Sequence, residues 1–500
     1  MKIRYFLFII AILYLASCGN TEENASPGEQ LAKKYCSSCH IFPDPSLLSK
    51  NVWKEKVLPP MGNMLGVAYY MGKPMATSIT SITPSEWEQI SQYYEEASPD
   101  SMPAQSREPI TDYTNLFSAR SIDVDKDKFP ATSFVKIDEG NHLIYAGDAF
   151  DSSLHIYDPS LKSISVANIH SVLVDMDFKT PLNSSGDRSG ILTDIGMMNP
   201  NDFKKGKADS FFITRKGELT YLSKMIDSLP RPVQTIAADL DNKGKKDYIV
   251  CGFGNMNGAL YRIKKQKDGT LEKEILRALP GAIKAYIEDF NHDGLLDIIV
   301  LMAQAQEGIF LLTNKGNGSF ETKELLRFPP IYGSSYFEMD DFNGDGFKDI
   351  LYTCGDNGDY TRGVLKFYHG IYIFLNDGKN NFSQKYFFPM HGCYKAMARD
   401  FDKDGDLDIA AISFFPDEKN QPQESFVYLE QKTPFQFSPY TIKEFANGNW
   451  LTMDAGDIDG DGDDDIILGS LVPPYQFMQE KWHKEGAHKV SIQLLENKTK

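Results

Sequence analysis

Asp289-Phe290-Asn291-His292-Asp293-Gly294-Leu295-Leu296-Asp297 decides the fold, because it is one of five copies of a single pattern. The pattern is Asp, any residue, Asp or Asn, any residue, Asp, Gly, two further residues, then Asp. The other copies are Asp341-Asn343-Asp345-Gly346-Asp349, Asp400-Asp402-Asp404-Gly405-Asp408, Asp457-Asp459-Asp461-Gly462-Asp465 and a degraded Asp239-Asp241-Lys243-Gly244-Asp247. In chain order their first residues are separated by 50, 52, 59 and 57 positions. Strand-like runs flank every copy. In the clearest one, Ala285-Tyr286-Ile287 precedes the acidic loop and Asp297 to Leu301 follows it. Gly308 to Leu312 and Phe320 to Leu325 then flank the turn Asn314-Lys315-Gly316-Asn317-Gly318. Each repeat therefore carries four strands.

Four strands at this period make the blade of a β-propeller. Two degenerate repeats precede the five recognisable ones, Ser133 to Ile137 with His142 to Gly147, and Ile191 to Ile195 with Asp209 to Ile213. The expected architecture over residues 113–500 is an all-β, seven-bladed propeller. The last repeat stops after a third strand, Val490 to Glu496, which leaves an unpaired edge. Residues near Phe117 to Ile122 are expected to supply the missing outer strand. The acidic repeats resemble the FG-GAP or VCBS repeats of integrin-like heads and of many secreted bacterial proteins.

The spacing of the acids carries chemistry of its own. Oxygen ligands at alternate positions of a tight loop can converge on one side, glycine permits the sharp turn, and the last Asp closes the shell. The loop resembles the first half of an EF-hand, but strands rather than helices flank it and no bidentate Glu stands at its twelfth position. A hard cation of calcium's size is the expected occupant, about four or five ions per chain. Asp239, Asp241 and Asp247 form the weakest set, because Lys243 replaces a ligand. The alternative is a metal-free Asx turn, which uses the same residues.

The N-terminus reads differently. Lys2 and Arg4 precede an apolar run from Tyr5 to Leu15, too short to span a bilayer. Leu15-Ala16-Ser17-Cys18 resembles the bacterial lipoprotein cleavage box, which implies a signal peptide at 1–17, a lipid-modified Cys18 and a tether at 18–27. Localisation in the bacterial cell envelope follows from that resemblance, as an outer-membrane lipoprotein facing the periplasm or the cell surface and held to the membrane through its lipid anchor.

Cys36-Ser37-Ser38-Cys39-His40 has the spacing of a c-type haem attachment site: two thiols for the porphyrin vinyl groups and an imidazole for the iron. Gly28 to Tyr35 resembles the short first helix of a cytochrome c. Residues 28–97 are thus expected to form a small all-α cytochrome c-like domain with one covalent haem c. Its second axial ligand is expected to be Met75, which follows Pro74 ahead of the helix starting at Thr83-Pro84-Ser85-Glu86, or Met61, with another residue or an open position as the remaining alternatives. Residues 98–112, punctuated by proline, read as a linker.

With 500 residues, 41% hydrophobic and 24% charged, the chain can bury a substantial core. Its formal charge of −17 argues against nucleic acid as a partner. No nucleophile elbow, Walker loop or dinucleotide fingerprint is present, so an electron carrier or binding protein fits better than an enzyme. Three functions stay open. The first is an envelope electron-transfer protein whose calcium-bound propeller docks a redox partner protein or a glycan. The second is a quinohaemoprotein-like dehydrogenase with a catalytic propeller, and the third a haem-based redox or gas-sensing adhesion module. Lys284, Tyr336, Tyr394-Lys395 and Trp450, at the starts of equivalent strands, are candidates to line one mouth of the central channel. Cys251, Cys354 and Cys393 read as buried small hydrophobes.

Overall fold

Asp297–Met302 is buried at every residue, and so are its repeat equivalents Asp349–Cys354, Asp408–Ser413 and Asp465–Ser470. A strand apolar on both faces must be covered on both, which the neighbouring blades of a ring accomplish. The computed structural model describes residues 25–77, 80–105, 107–178, 183, 185–266, 268–359, 364–479, 482–483 and 489–499. The proposed signal peptide and Cys18 lie outside the described residues.

The described residues form seven four-stranded antiparallel sheets arranged as a seven-bladed β-propeller. Six blades are continuous in sequence, spanning 132–168, 173–229, 232–277, 282–327, 334–389 and 393–440. The seventh takes Trp450–Gly456, Asp465–Ser470 and Val490–Asn497 from the C-terminal end and closes with Phe117–Asp123. That strand lies antiparallel to the last one, with Phe117 opposite Asn497 and Ala119 opposite Leu495, so the expected closure is present.

All seven innermost strands share one irregularity, a register shift between their first and third residues. The bulge re-aims the side chains that follow it. It puts Phe134, Asp175, Gln234, Lys284, Tyr336, Lys395 and Thr452 at equivalent positions around the channel.

Residues 25–97 form a separate small domain. Helix α1 (Pro27–Cys36) is capped by Ser26, and α2 (Lys50–Val52) runs through a π-helical turn (Trp53–Val57) into α3 (Leu58–Met64). Helix α4 (Pro84–Ala97) opens with the expected capping box between Thr83 and Glu86. The domain is not all-α. Strands β1 (Val67–Tyr70) and β2 (Lys73–Ala76) form a hairpin whose two turn residues, Met71 and Gly72, both have positive φ (48° and 78°). Met75, expected in a loop, stands on β2 opposite Ala68.

Helices α1 and α4 cross at Gly28, where a Cβ would lie 2.3 Å from the Gln89 carbonyl oxygen. The core beneath them is Ala32, Leu48, Trp53, Leu58, Val67, Ile82, Trp87, Ile90 and Tyr94, and Ile331 of the propeller packs into it. The Tyr368 hydroxyl donates to the Leu47 carbonyl at 3.2 Å. The segment 98–112 is no free tether either. Gln105 donates to the His369 carbonyl, Arg107 donates to the Pro389 carbonyl and pairs with the fully buried Glu424, and Ile110 enters the core shared by blades five and six.

Candidate metal and cofactor sites

Each acidic loop connects the first and second strands of its blade, so all five lie at the same end of the ring. The first Asp organises the turn. The backbone N–H groups of Gly244, Gly294, Gly346, Gly405 and Gly462 donate to the Oδ2 atoms of Asp239, Asp289, Asp341, Asp400 and Asp457, at 2.7, 2.9, 2.7, 3.1 and 3.1 Å. These glycines hold φ between 74° and 96°, the left-handed region that a side chain disfavours.

The last Asp also has a structural task. One oxygen each of Asp297, Asp349, Asp408 and Asp465 accepts a backbone N–H from the end of the blade's third strand, at Asn314, Asn376, Gln431 and Asn497. It ties the loop to the sheet and leaves at most one oxygen for a cation. In the degraded copy, Asp247 instead pairs with Arg262 (2.6 Å), and the Lys243 ammonium lies 2.8 Å from Asp241. That loop carries its own cation.

Among the described residues, two loops bring three carboxylates within 4.8 Å of one another: Asp400, Asp402 and Asp404, and Asp457, Asp459 and Asp465. Asp461 stays outside the second group and accepts the N–H of Asp463. In the two remaining loops Asn291 and Asn343 donate Nδ2–H to Asp293 and Asp345, each at 2.9 Å. The crowded loops show the electrostatic cost. Burial, with further repulsion from Asp402 and Asp406, raises Asp408 to about 7. Burial, Asp459 and Asp463 raise Asp465 to about 7. Asp406 and Asp463, at the seventh loop position, escaped the sequence pattern. Asp463 is buried, and burial and Asp461 push it up to about 6.

In the small domain, Cys36 ends α1, Cys39 is exposed and His40 follows half-buried; neither thiol is in a disulfide. Burial pushes the Cys36 thiol up to about 11. His40 Nδ1 lies 2.8 Å from the Ile41 carbonyl oxygen, which accepts the ring N–H and leaves Nε2 with its lone pair, the tautomer a metal-binding imidazole needs. Exposed large apolar side chains gather in the segment that follows: Met61 on α3, Met64, Tyr69, Tyr70, Met71 and Met75. Two thiols, a free imidazole nitrogen and uncovered methionines and tyrosines fit the demands of a bound porphyrin. Met61 and Met75 are both accessible, and both stay candidates for the second axial position.

The channel candidates divide. The Lys284 and Lys395 ammonium groups stand 4.7 and 4.6 Å from the centre of the Tyr336 ring, and Lys395 donates to the Met453 carbonyl. Burial lowers both lysines, Lys395 to about 8. The facing acids stitch blades together: Asp175 accepts the Thr235 N–H, Glu338 that of Ala398 and Asp454 that of Ile137. Trp450 is buried in the core between blades six and seven and donates to the Phe445 carbonyl; Tyr394 packs on Phe414. Cys251, Cys354 and Cys393 are buried.

The FG-GAP-like repeat family matches residues 289–352 and 400–468, the segments that hold the four complete acidic loops. No curated protein matches the chain. Solved structures similar in outline include Saccharomyces cerevisiae Sqt1, at 10% identity and a TM-score of 0.44, covering 76% of this chain and 99% of that one. The Neurospora crassa Pan2 WD40 domain has 10% identity and a TM-score of 0.43, covering 78% and 99%. A functionally unknown protein from Desulfotomaculum acetoxidans has 9% identity and a TM-score of 0.40, covering 64% and 86%.

Proposed function

We propose that this chain is an electron-transfer lipoprotein of the bacterial envelope, with haem c on the small domain and a calcium-stiffened propeller that docks a redox partner protein or a glycan. The observation that carries the reading is Cys36-Ser37-Ser38-Cys39-His40 at the end of α1, with His40 Nδ1 tied to Ile41 and Nε2 free. When bound, the haem supplies one-electron chemistry. Cys36 and Cys39 would hold it by thioether bonds, His40 would ligate the iron, and Met75 or Met61 would be candidates for a second ligand. The small-domain core is seated against Ile331 and Tyr368, which would hold that group in a fixed relation to the propeller. Calcium would take the open oxygens of the Asp289, Asp341, Asp400 and Asp457 loops. Lys243 and Arg262 make the Asp239 loop the weakest of the five. Cys18 would carry the lipid; among the described residues no helix is long and apolar enough to cross a membrane.

Expression alongside a haem-ligation apparatus tests the central claim. The purified protein is expected to be red, to show a reduced-minus-oxidised spectrum of a haem c, and to retain its pigment in denaturing electrophoresis. Cys36→Ser with Cys39→Ser should abolish that retention. A colourless wild-type protein would overturn the redox assignment while leaving the propeller intact.

A further inference from the structure

Arg277 and Arg327 are the last residues of the outer strands of blades three and four, and so occupy equivalent places in adjacent repeats. Both guanidinium groups stand over the Phe310 ring, at 3.7 and 5.7 Å from its centre. Two like charges over one ring repel each other unless an anion lies between them. The charge of Glu324 acts on both arginines. Arg277 donates to the neutral Gln306 amide oxygen at 2.5 Å, and Arg327 donates to Glu324 at 3.2 Å, a carboxylate more than half exposed. The Nε–H donors of both arginines are buried and have no acceptor.

Their place in the fold adds a second observation. Phe328 follows Arg327 directly, and the connection beyond it carries Ile331 into the small-domain core.

We infer that Arg277 and Arg327 form a clamp, supplied by the propeller, for a carboxylate held where the small domain meets blades three and four. Paired guanidinium forks match the two-oxygen geometry of a carboxylate. Two sources have this chemistry: the propionate side chains of a porphyrin bonded to Cys36 and Cys39, which rests on the haem reading above, or a diffusible carboxylate, which does not.

The two sources are separated by experiment on the full chain. In pigmented protein, spectroelectrochemistry reads the haem. Arg277→Gln and Arg327→Gln each remove a positive charge that favours the reduced form. Each is expected to shift the oxidised-to-reduced ratio, at the parent's midpoint, about tenfold towards oxidised, or about 59 mV for a one-electron couple. Glu324→Gln, on an exposed side chain, should shift it the opposite way and serves if an arginine variant fails to fold. In colourless protein, calorimetric titration with citrate should show binding that either arginine substitution removes. Unchanged ratios in all three pigmented variants together with no citrate binding by the colourless parent would overturn the clamp; unchanged ratios with citrate binding that either arginine substitution removes would assign it to a diffusible carboxylate. The loss of pigment alone would overturn only the haem reading.

Discussion

Asp408 carries in one side chain the tension of the acidic loops. It accepts from the Gln431 N–H at 2.8 Å and the Tyr428 hydroxyl at 2.6 Å, yet burial raises it to about 7. A carboxyl raised in the fold contributes stability fully present below its unfolded pKa of about 3.9 and lost as pH rises through 7. A divalent cation can take the proton's place, so calcium matters most where the proton is absent. The melting temperature difference between calcium and chelator is expected to be small at pH 5 and to widen by pH 8. Equal differences at both pH values, read by calorimetry, would remove calcium from these loops. The alternating acids were legible because ligand geometry demands a fixed spacing. Asp406 and Asp463 were not, because the seventh loop position is Leu295 and Phe347 in the other complete copies. Nor was Lys403, whose Nζ lies 4.0 Å from the point where a Cβ on Gly462 of the next blade's loop would sit. A contact between blades leaves no periodic trace in one repeat.

At the scale of elements, the crossing of α1 and α4 depends on a missing side chain. Gly28→Val would drive a Cβ into the Gln89 carbonyl and the Tyr93 Cβ, 2.3 and 2.9 Å away. The expected cost is about 1–3 kcal/mol, the usual range for overpacking. Denaturant titration followed by tryptophan fluorescence suits the measurement, since Trp53 and Trp87 sit in this core. An unchanged midpoint would mean that the helices part without penalty. The capping box at Thr83 was readable from four residues. The hairpin was hidden: its turn uses Met71 where such turns favour Asn or Asp, and Pro74 inside β2 argues against a strand. Likewise Arg107 looked like part of a polar linker. Only the fold brings it to Glu424, buried between Arg107 and His391.

The whole molecule is held by joints between distant parts of the sequence. Deleting residues 113–125 removes Phe117–Asp123 from the seventh sheet and exposes Val490–Asn497 as an edge. Such a protein should unfold at a lower temperature and less cooperatively, seen as a broadened calorimetric transition; melting at the parental temperature would show that the ring does not depend on this strand. The number of blades was legible from five acidic loops and two weaker copies. The seating of the small domain was not, because Ile331 and Tyr368 look like ordinary propeller residues until the chain has folded. The joint between Phe117–Asp123 and Val490–Asn497 also dictates an order of events. One half of the latch is synthesised well before the other, so every chain that stops short of Val490 is an open arc. The thiols of Cys36 and Cys39 are finished long before the wheel can lock, and any chemistry that must reach them has that interval in which to act.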